Sequence, residues 1–273
     1  MSGSREVASA ASAGKHLSRR QAEILGIVTR QGYAAIDDLA SRFKTSHQTI
    51  RRDIIRLDHE GVLKRFHGGV GLIDGQVRPG YEDKRHLAIE AKRRIAARAV
   101  LQVEDRMTLF VDVGTTAEAL AGALLLSCRA QCRVVTTSLS VALALADHPT
   151  IETIVAAGLV HTRDGAVVGP LAIALIEQFS FDYAFIGFSG FDADGAPMDF
   201  DLGKVLVKRA AIGRASTAVG LVDSTKFRRR ASIRLADPGD LDQLISEAAP
   251  GGELARHLDG AGVEVVLADS PRA

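Results

Sequence analysis

Two cysteines, Cys128 and Cys132, are all that this 273-residue chain contains. Their spacing fits one face of a helix, but no second pair completes a zinc site, so they read as two thiols rather than metal ligands. Their scarcity fits a reducing cytosol, and the expected location is cytoplasmic. The eight histidines show no metal-ligand spacing. Asp192, Asp194, Asp199 and Asp201 lack the regular ligand series and distal glutamate of a calcium loop, and read as a solvated turn. No run of about 18 uninterrupted apolar residues is present, so no membrane span is expected. Met1 to Gly14 is rich in serine, alanine and glycine without the apolar core of a signal peptide, and reads as a disordered tail. No metal and no cofactor are expected. No acid and base are paired in a catalytic motif.

What is present is ordinary in bulk and uneven in distribution. Apolar residues make up 47% and charged residues 25%, as in soluble globular proteins, and the length suits about two domains. The net charge of +1 hides a division. Met1 to Val70 carries 12 basic and 7 acidic residues, and the remainder 22 basic and 26 acidic. A basic head on an acidic body suggests a polyanion partner for the head alone.

The head runs from residue 15 to 70. Ser18 and Gln21 form a capping box for a first helix, with Ile24, Ile27 and Val28 as its buried stripe and Gly32 as its stop. Tyr33 to Ile36 reads as a short edge strand. Asp37 or Asp38 caps a second short helix, with Leu39, Ala40 and Phe43 inward. Lys44-Thr45 then turns into the central helix, Ser46 to Gly61. Ser46 is a good N-cap, and Gly61 supplies a left-handed stop. Ile50, Ile54 and Leu57 line one stripe of that helix, and Gln48, Thr49, Arg51, Arg52 and Arg56 lie on its exposed rows. Arginine and glutamine reach base edges bidentately, and arginine also pairs with phosphate. Two helices across a tight turn, the second polar and basic, form a helix-turn-helix. Val62 to Val70 reads as a glycine-tipped wing. The candidate DNA contacts are Ser46, His47, Gln48, Thr49, Arg51, Arg52 and Arg56 on the helix, and Lys64, Arg65 and His67 on the wing.

Residues 71–87 are rich in glycine, proline and charge and read as a linker. From residue 88 to 273 apolar strands alternate with helices, which predicts an α/β, Rossmann-like sheet with helices on both faces. Strands are expected at 107–113, 133–136, 153–156, 183–187, 217–222 and 263–268. Helices are expected at 88–103, 116–125, 139–146, 170–179, 203–215 and 252–258. Binding chemistry belongs where strands end and helices begin. Three such ends are polar: Asp112-Val113-Gly114-Thr115-Thr116, Thr136-Thr137-Ser138, and Asp223-Ser224-Thr225-Lys226-Phe227. Together they suit an anionic small molecule.

Thr49-Ile50-Arg51-Arg52-Asp53, followed by Leu57, Gly61, Leu63, Arg65 and His67-Gly68-Gly69, resembles the winged-helix head of the DeoR family of bacterial transcription regulators. The resemblance continues through Asp112 to Thr116, Val168-Gly169-Pro170, Phe185-Ile186-Gly187, Gly190 with Asp192, and Asp223-Ser224 with Lys226-Phe227. It implies a body similar in fold to pentose-phosphate isomerases that binds a phosphorylated sugar or related metabolite. It implies a recognition role for Gln48, Thr49, Arg51 and Arg52, with Asp53 turned inward to hold an arginine or a backbone amide. It places the effector at Asp112, Gly114, Thr115, Thr116, Ser138 and Lys226, with Thr136, Thr137, Asp192 and Lys204 as further candidates. The chain departs from the family pattern at Thr137, where asparagine is common, at Ala157, where glycine is common, and at Lys204, where glutamate is common. The expected function is DNA-binding repression of a carbohydrate-metabolism operon, relieved by the metabolite. The expected partners are double-stranded operator DNA, the small anion and further copies of the chain in a dimer or tetramer. The alternative is a sugar-phosphate isomerase-like enzyme with a DNA-binding appendage.

Overall fold

Ser18 and Gln21 start the first helix by the reciprocal bonds their side chains favour. The Gln21 amide donates to Ser18 Oγ at 3.2 Å, and the Ser18 amide donates to Gln21 Oε1 at 3.0 Å. The computed structural model describes residues 17–31, 33–66, 68–71, 81–161 and 164–269. Its contacts divide into two units, Met1–Leu87 and Ala88–Ala273.

In the first unit, α1 (Arg19–Gln31), α2 (Ile36–Arg42) and α3 (His47–His59) pack with a sheet of β1 (Tyr33–Ala35), β2 (Lys64–Phe66) and β3 (Gly69–Gly71). Strand β3 lies between β1 and β2, antiparallel to both. Ile24, Val28, Leu39, Ile50, Ile54, Leu57, Leu63 and Val70 form one apolar cluster. Gly61 (φ 67°) and Gly68 (φ 88°) take the left-handed backbone that ends α3 and turns the wing. Gly32 and His67 lie outside the described residues. Two expectations are corrected. Helix α2 starts after Ala35, with no side-chain cap, and Asp37 and Asp38 lie inside its first turn. Carboxylates there favour the helix dipole without capping it. Residues 81–86, read as linker, form the short helix α4 (Tyr81–His86).

The second unit is built on a parallel sheet of β4 (Thr108–Val111), β5 (Cys132–Thr136), β6 (Ile151–Val155), β9 (Phe181–Gly187), β12 (Ala215–Leu221), β14 (Gln243–Ser246) and β15 (Glu264–Leu267). Its order is β15-β14-β12-β9-β4-β5-β6, so the chain runs outward from β4 to β6, then returns to β4's other side. Around it lie α5 (Ile89–Val100), α6 (Thr115–Ser127), α7 (Leu139–Leu145), α8 (Pro170–Ile176), α9 (Leu202–Ile212) and α10 (Gly252–Gly260). Strand alternation splits the core. Leu109 and Val111 pack with Ile95 of α5 and Leu120 of α6, and Phe110 packs with Ala172 of α8 and Val205 of α9.

Four short strands outside this sheet, and β14 within it, escaped the sequence pattern. The hairpin of β7 (Leu159–His161) and β8 (Ala166–Val168) is one addition. The other is a small antiparallel sheet of β10 (Gly190–Phe191), β11 (Pro197–Asp199) and β13 (Ile233–Arg234). A Cβ on Gly190 would collide with the Arg229 carbonyl, so this contact requires glycine. The cysteines share no helix face: Cys128 follows α6 and Cys132 opens β5. Both are buried and free, and burial, reinforced by Cys128, pushes the Cys132 thiol up to about 12.

Candidate functional site

On the head, the N-cap and the buried stripe of α3 fix which side chains face out. Ser46 Oγ accepts from the Thr49 amide at 3.3 Å and lies 2.9 Å from Thr49 Oγ1. Gln48, Arg51, Arg52 and Arg56 are exposed, and Thr49 is half-buried. Arg51 and Arg52 have no ion-pair partner among the described residues, whereas Arg56 Nε donates to Glu60 Oε1 at 2.8 Å. His47 Nε2 stands 3.2 Å from Asp37 Oδ1. Asp53 is buried and turned to α1: its carboxylate accepts from Arg20 Nε at 2.5 Å and Gln21 Nε2 at 3.0 Å. An acid on a DNA-facing helix thus keeps its charge away from phosphate. Arg65 is exposed on β2, and its amide donates to Asp58 Oδ1 at 2.9 Å. Lys64 also lies on β2; its side chain is outside the described residues. The structure therefore gathers Gln48, Thr49, Arg51, Arg52 and Arg56 on one helix, with Arg65 on the neighbouring strand.

In the body, the strand order reverses between β4 and β9, where open α/β sheets bind ligands beyond the strands' carboxyl ends. Asp112 follows β4 there, fully buried, and its Oδ2 accepts from the Gly187 amide at 3.0 Å. Lys208 of α9 reaches the same oxygen at 3.2 Å, Asp199 Oδ2 at 2.6 Å and the Gly187 carbonyl at 2.6 Å. Asp112 Oδ1 is buried with no hydrogen-bond partner among the described residues. Burial pushes the Asp112 carboxyl up, and Lys208 offsets this only in part. For Asp199, burial is outweighed by Lys208 and Ser189, which hold its carboxyl well below the usual range. For Lys208, burial is outweighed by Asp112 and Asp199, which hold its ammonium above the usual range.

Next to Asp112, Gly114 (φ 125°) caps α6 with no side-chain bond, leaving the first turn, with Thr115 half-buried and Thr116 buried, to be met by something else. Lys226 stands 3.5 Å from Asp223, whose carboxyl burial raises but Lys226 and Thr225 hold below the usual range.

Other candidates are used structurally. Thr136 Oγ1 donates to the Val111 carbonyl at 2.6 Å and accepts from the Ser138 amide at 3.0 Å. Ser138 Oγ caps α7. Thr137 is buried, and its carbonyl accepts from the Val167 amide at 2.7 Å. Lys204 is buried and ion-paired with Asp164 of the β7–β8 turn. Asp192 does not join the strand ends: it lies beside β10 and pairs with Arg230 at 2.8 Å. A cleft of about 320 Å³ among Arg209, Gly213, Arg234 and Asp237 holds none of these residues.

Sequence reading missed Lys92, Asp199 and Lys208. Lys92, buried on α5, is held down to about 8 by burial and by Lys226, against Asp223 and Glu118. A signal was available. Lys92 precedes Ile95, Ala96 and Ala99 on α5's buried stripe, and Lys208 lies between Val205 and Ala211 on that of α9. A lysine on an apolar stripe needs a partner inside.

Two families match the chain. One, described as the DeoR-like helix-turn-helix domain, covers residues 20–76, and the other, the DeoR C terminal sensor domain, covers residues 87–248. The glycerol-3-phosphate regulon repressor of Escherichia coli is 35% identical over 85% of this chain and 92% of its own length. The HTH-type transcriptional repressor CsqR of the same organism is 30% identical over 91% and 94%. Ribose 5 phosphate isomerase A from Neisseria gonorrhoeae is 20% identical over 51% of this chain and 53% of that one, with a TM-score of 0.37, too loose a match to carry an argument.

Proposed function

The chain belongs to the DeoR family of bacterial transcription regulators, and from that premise we propose a repressor of a carbohydrate or polyol operon, relieved by a phosphorylated metabolite. It is a DNA-binding regulator and not an enzyme, as its relatives are transcriptional repressors. Helix α3 enters the major groove with Gln48, Thr49, Arg51 and Arg52 toward the bases, and the wing adds phosphate contacts through Arg65. The metabolite's anionic group meets the first turn of α6 at Thr115 and Thr116, beside Lys226. One observation carries this reading: Arg51 and Arg52 point outward unpaired on α3, in a chain whose α6 begins uncapped where the sheet order reverses.

The mechanism is linkage. A metabolite that binds the low-affinity conformation better lowers operator affinity, typically by about 1–3 kcal/mol. The name of the relative at 35% identity makes glycerol 3-phosphate the first compound to try. The protein acts in the cytoplasm as a dimer or tetramer, since paired heads match paired half-sites. The test is fluorescence anisotropy on DNA from upstream of the chain's own gene, with and without glycerol 3-phosphate and hexose phosphates. Salt-sensitive, sequence-selective binding that one of them weakens is expected; selective binding indifferent to all would sink the effector class. Sedimentation at micromolar protein reads the oligomer, and a monomer would remove the paired-head arrangement.

A further inference from the structure

We infer that Lys92 is a direct ligand of the effector's anionic group and forms, with Lys226, one cationic subsite beside the first turn of α6. This rests on the reading that the body binds a phosphorylated metabolite. Three elements converge there. Helix α5 supplies Lys92, buried to 5% exposure. The turn after β12 supplies Lys226 and Asp223. Helix α6 supplies Glu118 in its first turn, whose amide donates to the Gly114 carbonyl at 2.9 Å.

Two ammonium groups within electrostatic reach in a mostly buried place disfavour one another. Here that repulsion adds to burial and lowers the Lys92 ammonium to about 8, although Asp223 and Glu118 work the other way. Glu247, after β14, is turned to Ser224 instead, accepting from its amide at 3.0 Å. A phosphate between the two lysines offsets both repulsion and burial, and holds Lys92 protonated. Lys204 is not placed for this, because Asp164 already engages it.

Lys92 thus gives the grip a pH dependence. Affinity for a phosphate dianion is full below about pH 8 and falls up to about tenfold per pH unit above it.

The experiment is calorimetric titration of the full chain with glycerol 3-phosphate and with inorganic phosphate. Lys92→Met and Lys226→Met should each weaken binding by roughly tenfold or more. Lys92→Arg should retain most of it, and Arg93→Met, an exposed neighbouring cation, should bind like the native chain. If Lys226→Met weakens binding and Lys92→Met does not, the role of Lys92 falls and the effector site stands. If the native chain binds neither probe, the site and the effector class fall together. Should Lys92→Met fail to fold, the native pH series decides, and affinity that stays flat from about pH 7.5 to about pH 9.5 overturns the inference.

Discussion

The head turns its charges outward and the body turns them inward. On α3 the guanidinium groups of Arg51 and Arg52 are exposed and unpaired among the described residues, while the one buried acid, Asp53, is satisfied by Arg20 and Gln21. In the body Lys208 is buried between Asp112 and Asp199. The difference follows from the ligand. A polyanion approaches from solvent, and its affinity comes largely from releasing counterions. A small anion must be enclosed, so its site needs charges that survive burial, and these survive only in pairs. The same residue types therefore carry different energies in the two units.

The sharpest way to break this comparison is to remove Lys208. Lys208→Met leaves two carboxylates buried around an apolar chain, and the expected loss is about 3–5 kcal/mol in urea denaturation followed by far-ultraviolet dichroism. A loss below about 1 kcal/mol would show that the triad is solvated. The pH dependence should follow. Asp199 is depressed in the fold, so its contribution is complete above about pH 4 and lost as acid is added. Lys208 is raised, so its contribution is complete below about pH 10 and lost only in stronger base. Between those limits this pair should leave stability flat, and Asp199→Asn should remove most of the acid limb.

Arg52→Ala should do the opposite, changing function without stability. Operator binding should weaken by about 1–3 kcal/mol at an unchanged melting temperature, and the salt slope should shrink if the lost contact is to phosphate. Unchanged affinity removes Arg52 from the interface. Asp53→Ala bridges the two regimes. It should cost about 1–2 kcal/mol of stability by stranding the Gln21 amide, with DNA affinity reduced only through the seating of α3 against α1. Arg56→Ala should have the smallest effect on stability. Its pair with Glu60 is exposed and four residues apart, worth about 0.3–0.5 kcal/mol. A drop in operator affinity as large as that of Arg52→Ala would place Arg56 among the base contacts.

The head was nearly all legible because its determinants are local. A capping box, an apolar stripe and a glycine stop are each written within one helical turn or two. The misplaced cap at Asp37 shows the limit: α2 follows β1 directly, and backbone pairing in the small sheet set its start. In the body the long apolar strands were legible. Strand β14 was not, because Leu244 and Ile245 are too short a run between Gln243 and Ser246 to show a period. The polar strand ends were found, but not which of their groups were already occupied. Thr136 and Ser138 look alike in sequence to Thr115 and Thr116, yet the first pair bonds backbone and the second opens an uncapped helix. Nothing near Asp192 in sequence announces Arg230, 38 positions on, as its partner.

The two thiols set useful terms for labelling chemistry. Cys128 and Cys132 are buried, and the Cys132 thiol, pushed up to about 12, supplies almost no thiolate at neutral pH. The native chain should accordingly ignore a maleimide dye, and a single cysteine placed at exposed Ser41 should take up one fluorophore per chain. Head movement on effector binding then becomes an optical signal, recorded without first deleting any native residue.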